Sequence, residues 1–313
     1  MRIIALCYLL LFTTLSLFSQ EKRLSFYLDT NKHIIVNYTI KGEKVKLLLD
    51  TGWEGEMLDV HIADKLNILP HKENHTSKMY TASGEPYIVI TTDKGTNNFI
   101  DTLFNYPWSL SDMKQTAKSL KFDEDVNGIV GINFIDYKYD VEFDFKHNQL
   151  VFWDSLPKNY FKKKKVYKAN LISSDYLQVD KHSKINAQFP NIKGVLTILD
   201  TVTIHPLFFF DTGSIGSEFT LQIYTEELLG ELLEYKRLIT KKYGPNYPTM
   251  RFELPELGID TLYSKGYVTR VMYDAFGHYK DTKLRVLLGM DFFLQYEKVI
   301  FDIRNQTGYF VKE

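Results

Sequence analysis

Two Asp-Thr-Gly triplets stand at Asp50-Thr51-Gly52 and Asp211-Thr212-Gly213, each preceded by an apolar run, LLL before the first and FFF before the second. A strand ending in such a triplet carries its aspartate into a tight turn, and the glycine lets a second backbone come close. If the two turns meet, two carboxyls face each other, and like charges at that range leave the pair holding one proton. One member is then a base and the other an acid, which is what activation of a water requires without a metal or a covalent intermediate. The residue types thus point to acid–base hydrolysis by Asp50 and Asp211. Other chemistries find little support. The sequence holds no G-x-S-x-G, no glycine-rich phosphate loop and no H-E-x-x-H. His71 and His75 are four apart, but Pro70 and Asn74 make their segment a surface loop rather than a metal site. No metal and no cofactor is expected.

The elements that must position the triplets recur along the chain. The first half holds LLLDTG, FIDTLF at 99–104, GIVGINF at 128–134 and VEFDF at 141–145; the second holds FFFDTG, GIDTLY at 258–263, VLLGMDF at 286–292 and VIFDI at 299–303. The shift is 161 residues from Asp50 to Asp211, 159 from Ile100 to Ile259, and 158 both from Gly131 to Gly289 and from Asp144 to Asp302. Four landmarks in one order at nearly one spacing describe a duplicated lobe with pseudo-two-fold symmetry. Ile129-Val130-Gly131 and Leu287-Leu288-Gly289 are expected to pack beneath the turns. Strand patterns dominate: HIIVNYTI from His33, VKLLLD from Val45, YIVI from Tyr87, YDVEFDF from Tyr139 and QLVFW from Gln149, with a hairpin turn at Lys41-Gly42-Glu43. Helical patterns are fewer, at 59–67 with Asp59 as cap and at 225–238. The polar stretch 20–32 is short, and the strand-like patterns are expected to begin after it. The basic, proline-marked stretch 154–165 is read as a solvated linker between the halves.

Composition sets the class. The chain has 313 residues, 44% hydrophobic and 25% charged, an ordinary globular balance. With 38 basic against 39 acidic residues the net charge is −1, so no global field gathers nucleic acid or anionic membrane. Tyr and Phe number 21 and 22, which favours strands because rings pack well on pleated surfaces. The first twenty residues carry Arg2, an apolar run at 3–18 interrupted by Thr13, Thr14 and Ser16, and a small residue at Ser19. This reads as a cleaved signal peptide, shorter than the roughly 20 apolar residues that span a bilayer. The single cysteine, Cys7, lies inside it, so the mature chain is expected to lack a disulfide. The expected organisation is a signal at 1–20 and lobes at 21–160 and 161–313. The mature protein is expected to be exported, periplasmic or secreted, with no membrane span after signal removal.

On these motifs the chain resembles the pepsin and retropepsin superfamily of aspartic proteases, as an exported, bacterial-type, bilobal member, from about His33 to Phe310. The resemblance implies an all-β acid-protease fold of two pseudo-symmetric, β-barrel-like lobes with few short helices. It implies that Asp50 and Asp211 form the catalytic dyad, that Thr51 and Thr212 bond across the lobe interface, and that Gly52, Gly213 and Ser214 support the dyad. YTASGEPY at 80–87 corresponds to the flap hairpin over the substrate, with Tyr80 at its base and Gly84 at its tip; Tyr80 reads equally as an exposed strand tyrosine. The second-lobe counterpart falls near YGPNY at 243–247. The partner implied is a peptide or protein substrate held between lobes of a monomer. Ser214 follows the second triplet, where its hydroxyl could bond Asp211, but Trp53 follows the first and offers none. That departure leaves two readings open, an aspartic endopeptidase and a degenerate protease that binds peptides without cleaving them. A long inhibitory prosegment is not expected ahead of the first strand.

Overall fold

The computed structural model describes residues 21–53, 55–67, 76–80, 86–91, 108–120, 122, 125–135, 138–175, 188–198, 202–205, 207–214, 222–223, 249–265 and 284–312. Strands dominate them. The first half runs β1 (Glu21–Leu28), β2 (Ile34–Ile40), β3 (Glu43–Leu49), β4 (Glu56–Asp59), β5 (Thr76–Tyr80), β6 (Pro86–Thr91), β7 (Trp108–Ser111), β8 (Gly128–Val130), β9 (Asp140–Asp144) and β10 (Gln149–Trp153). The second runs β11 (Lys165–Asn170), β12 (Ile172–Asp175), β13 (Gln188–Lys193), β14 (Val195–Ile198), β15 (Val202–Ile204), β16 (Leu207–Phe210), β17 (Gln222–Ile223), β18 (Thr249–Leu254), β19 (Ile259–Lys265), β20 (Leu284–Leu288), β21 (Lys298–Asp302) and β22 (Thr307–Lys312). The described α-helices are short: α1 (Val60–Lys65), α2 (Met113–Leu120) and α3 (Met290–Phe293). The fold is all-β. No helix among the described residues is long and apolar enough to cross a membrane.

The β2–β3 hairpin shows how local sequence makes the scaffold. Ile34, Ile35 and Val36 are buried and Asn37 and Thr39 exposed, while Leu47, Leu48 and Leu49 are all buried, as suits a strand covered on both faces. Lys41 and Gly42 have φ of 47° and 89°, and Ile40 pairs with Glu43. The turn is therefore a two-residue one with both residues left-handed, whose twist matches the strands, and Glu43 is already in the ladder. Asp59 caps α1 as expected, accepting from the N–H groups of His61 and Ile62, and its second oxygen accepts from Met113 N at the start of α2. One expectation changes. The strands begin earlier than expected, inside the polar stretch 20–32, which carries β1; it pairs with β10 on one side and β2 on the other. Its apolar alternation, Leu24, Phe26 and Leu28, is short and follows three charged residues, which hid it. The helix pattern at 225–238 and the YGPNY segment at 243–247 lie outside the described residues.

Thirteen strands form one sheet in the order β11-β22-β21-β9-β10-β1-β2-β3-β8-β4-β7-β6-β5, beside a five-stranded sheet, β12-β13-β16-β20-β17, and a four-stranded one, β15-β14-β18-β19. Among the described residues the large sheet runs from β11 to β5 and is not closed into a barrel. The halves are joined where the two repeat strands meet: β9 pairs with β21, setting Phe143 against Val299 and Val141 against Phe301. Phenylalanine fills the space behind them. The largest fully buried side chains are Phe143, Phe152, Phe208, Phe210, Phe292, Phe293, Phe301 and Phe310, and Phe210 of one strand lies 5.2 Å from Phe301 and 5.6 Å from Phe310, centroid to centroid. Rings from both halves thus share one core. Over the joint, Lys298 bonds Glu142 at 2.6 Å and Asp144 at 2.7 Å, while Trp153 Nε1 and Tyr160 OH donate to Glu142, so a buried carboxylate is fully partnered. Tyr160 belongs to the expected linker, which is thereby pinned at that point; Lys162 to Lys165 are exposed.

Candidate active site

Each triplet is set by a parallel strand pair. β3 runs beside β8, aligning Leu49 with Val130, and β16 beside β20, aligning Phe210 with Leu288. Asp50 N then donates to Val130 O at 2.9 Å, and Asp211 N to Leu288 O at 3.0 Å. Each turn closes on itself, Trp53 N donating to Asp50 O (3.1 Å) and Ser214 N to Asp211 O (3.4 Å). The residue after each apolar-apolar-Gly segment anchors the far side, Ile132 N to Trp53 O (2.9 Å) and Met290 N to Ser214 O (3.0 Å). The segments therefore do pack against the turns, and the same bonds recur in both halves.

Across the axis the two threonines interlock. Thr51 Oγ1 donates to Phe210 O and accepts from Thr212 N, and Thr212 Oγ1 donates to Leu49 O and accepts from Thr51 N, at 2.8 to 3.0 Å. Both threonines are wholly buried, and every one of these groups is satisfied by its counterpart in the other half. Gly52 N donates to Asp50 Oδ1 at 2.8 Å and Gly213 N to Asp211 Oδ1 at 2.9 Å, which fixes the carboxyl planes. The glycines are required by the approach of the opposite carboxyl. A Cβ on Gly52 would lie 2.4 Å from Asp211 Oδ1, and one on Gly213 would lie 2.4 Å from Asp50 Oδ1.

The arrangement brings Asp50 and Asp211 into side-chain hydrogen bonding with each other. Burial pushes the Asp50 carboxyl well above the usual carboxylate range, and the adjacent Asp211 charge and the bond to Asp211 push it further, against the N–H groups of Gly52 and Gly213. Asp211 is also raised by burial, but the bond from Asp50, the N–H groups of Gly213 and Ser214 and the charge of His33 all lower it. Both carboxyls are raised by burial, and at this range they titrate as a pair rather than as two independent groups. Among the described residues no group of three or more His, Cys, Asp or Glu is placed to hold a metal ion.

The remaining expected residues are placed unevenly. Trp53 packs its half-buried ring against a small cluster of Ile35, Leu48, Met57, Phe122 and Ile129. The Ser214 N–H, part of the turn, is among the groups acting on Asp211. Tyr80 is the last residue of β5, which forms an antiparallel hairpin with β6 in which Tyr80 pairs with Pro86; Gly84 lies outside the described residues. Two features near the triplets were not singled out from the sequence. His33 is buried and bonds Asp29 through Nδ1 at 2.9 Å, and Asp29 also accepts from the N–H groups of Asn31 and His33. Glu56, four residues after Gly52, is buried in β4 with Asn133 Nδ2 at 3.5 Å from one oxygen and no hydrogen-bond partner for the other, and burial pushes it up to about 8. A glutamate directly before the apolar pair Met57-Leu58 and a histidine directly before IIV were the available signals.

No protein-family model and no curated protein matches the chain. Among solved structures it is similar to the crystal structure of a retropepsin-like aspartic protease from Rickettsia conorii, with 15% identity over 44% of this chain and 93% of that one and a TM-score of 0.29.

Proposed function

We propose that this protein is an aspartic-type endopeptidase that hydrolyses peptide bonds with a water activated by Asp50 and Asp211. The observation that supports the reading is the pair itself: two carboxyls from symmetry-related turns, each raised by burial and each filling the space where a Cβ on the opposite glycine would stand. In this reading ionised Asp211 takes a proton from the water as the oxygen attacks the scissile carbonyl, and protonated Asp50 donates toward the carbonyl oxygen. The interlocked threonines hold both carboxyls so that no reorganisation is needed as charge develops. Residues 21–160 and 161–313 would each supply one aspartate, so a monomer suffices, with an extended peptide lying between the lobes beneath the β5–β6 hairpin. The apolar amino-terminal segment supports export to a periplasmic or extracellular site, with residues 1–20 removed.

The test incubates purified protein lacking residues 1–20 with a mixed peptide library from acid to neutral pH beside Asp211→Asn. Cleavage by the wild type that the substitution abolishes is expected. Cleavage unchanged by it overturns the mechanism. Trp53 motivates the second reading, and peptide binding without cleavage by either protein would establish it.

A further inference from the structure

Several lysines reach carboxylates: Lys32 pairs with Asp291, Lys46 with Asp125, Lys146 with Glu297, and Lys298 with Glu142 and Asp144. Those of the linker and the sheet edge beside it do not. Among the described residues no carboxylate pairs with Lys158, Lys162 to Lys165, Lys168 or Lys312. What these ammonium groups meet is rings. Lys164 Nζ stands 4.4 Å from the centre of the Tyr160 ring and Lys168 Nζ 5.4 Å from that of Tyr309, while Lys165 and Lys312 lie 5.3 and 5.7 Å from Tyr167. Lys165 and Lys312 are also directly opposite in the β11–β22 ladder, where like charges repel. From Leu156 to Asn170 the chain carries six lysines and no acidic residue.

The segment that carries most of these charges is a fixed loop. Tyr160 N, Lys162 N and Lys164 N donate to Pro157 O, Asn159 O and Phe161 O at 2.9 to 3.1 Å, a run of consecutive turns. Tyr160 OH is bonded to Glu142, and Phe161 stacks on Tyr309 with centroids 4.6 Å apart. Lys163 has a φ of 69°, a left-handed conformation that opposes any side chain, so packing rather than propensity shapes the loop. Lys158, Lys162 to Lys165 and Lys168 are all exposed. A rigid strip of uncompensated charge therefore concentrates positive potential on one face of a chain whose net charge is −1. Its complement is a dense anionic surface, and two features select a bilayer over a nucleic acid. The ring faces are already taken by lysines and by one another, so they offer bases no stacking platform. The strip holds no arginine fork; it presents point charges on long apolar stems around the half-buried Phe161, a pattern suited to lying along a headgroup layer.

We propose that the linker loop and the β11–β22 edge form a docking face that holds the protein peripherally on anionic phospholipid bilayers. The contact is electrostatic and involves no membrane span. Because the loop is already ordered, little conformational freedom is lost when it docks. The inference uses neither Asp50 nor Asp211 and is independent of the endopeptidase reading. Docked in this way, the protein works at a membrane surface rather than in free solution.

The test is co-sedimentation with vesicles of phosphatidylcholine, alone or with about 30% phosphatidylglycerol, at about 0.1 M salt. It uses the chain lacking residues 1–20, whose apolar run would bind lipid by itself. Binding to the anionic vesicles alone is expected, with release at about 0.5 M salt. At roughly fivefold per lysine, replacing Lys162, Lys163, Lys164 and Lys165 together by Gln should weaken partitioning by on the order of 10²-fold or more. Lys44, Lys65, Lys114 and Lys118, exposed lysines of the first half, replaced together by Gln give the same change in net charge. That control should shift partitioning by less than about threefold. Equal losses in the two variants, equal binding to both kinds of vesicle, or no binding to either overturns the proposal. Tighter binding to double-stranded DNA than to anionic vesicles at the same salt would overturn it too, by assigning the face to nucleic acid. Should the four-lysine linker variant fail to fold, Lys158→Gln combined with Lys168→Gln takes its place, with an expected loss of roughly 25-fold.

Discussion

The first and second Asp-Thr-Gly turns are nearly superimposable in their hydrogen bonding and differ in their surroundings. Strand to turn, turn to its parallel neighbour and threonine to carbonyl, the bonds on one side have counterparts on the other within about 0.3 Å. The first turn is followed by Trp53 and has the buried Glu56 in its next strand; the second is followed by Ser214. The difference teaches that duplication fixes where two carboxyls stand, while the residues just outside the duplicated turns give each of them its own surroundings.

The largest effect should come from breaking the symmetry where both halves touch. Gly52→Ala and Gly213→Ala each drive a methyl into the opposite carboxyl, and each should cut kcat/KM by about 10²- to 10⁴-fold at a folding cost of about 1–3 kcal/mol in thermal melts. One variant that kept full activity would end the equivalence of the turns. Thr51→Val and Thr212→Val come next. Each leaves a buried carbonyl and a buried N–H without a partner, at about 1–3 kcal/mol for each group, so urea unfolding should show similar losses for the two. A marked inequality between them would mean that one lobe depends on the other more than the reverse.

A third substitution sharpens the contrast between the turns. Glu56 is raised from its ordinary 4.5 to about 8 by burial, so the folded state binds its proton more tightly than the unfolded chain. Its stabilising contribution is complete below about pH 4.5 and is lost as the pH rises toward 8. Glu56→Gln keeps the contact with Asn133 without that dependence, and at pH 8 it should be more stable than wild type by roughly 1–3 kcal/mol. Parallel stability curves for the two proteins would show that the carboxyl is hydrated after all. The smallest effect is expected from Trp53→Ser, which makes the two turns alike in sequence. It should cost about 1 kcal/mol from lost packing on the Ile35 and Leu48 cluster, with turnover retained; abolished turnover would make the ring part of the site.

Much of this was legible before any coordinates. The repeat of DTG, apolar-apolar-Gly and the VEFDF and VIFDI strands predicts two turns that face each other, because each motif pairs with its own parallel strand in a register set by side-chain alternation. The apolar runs LLL and FFF predict strands covered on both faces. What escaped notice did so for identifiable reasons. β1 hid behind three charged residues, and nothing in the local pattern marks His33 or Glu56 as buried, because charged and titratable residues are seldom enclosed without a partner.

The sequence by itself determined the all-β class, the duplication and the pair of aspartates, since these follow from residue type and spacing along the chain. The tertiary structure alone decided that the large sheet stays open, that the linker tyrosine seals the joint between halves, and that His33 is buried against Asp29. Those outcomes depend on which groups are brought together and how far water is excluded between them. Linear spacing carries neither quantity, because both arise from packing among segments far apart in the chain.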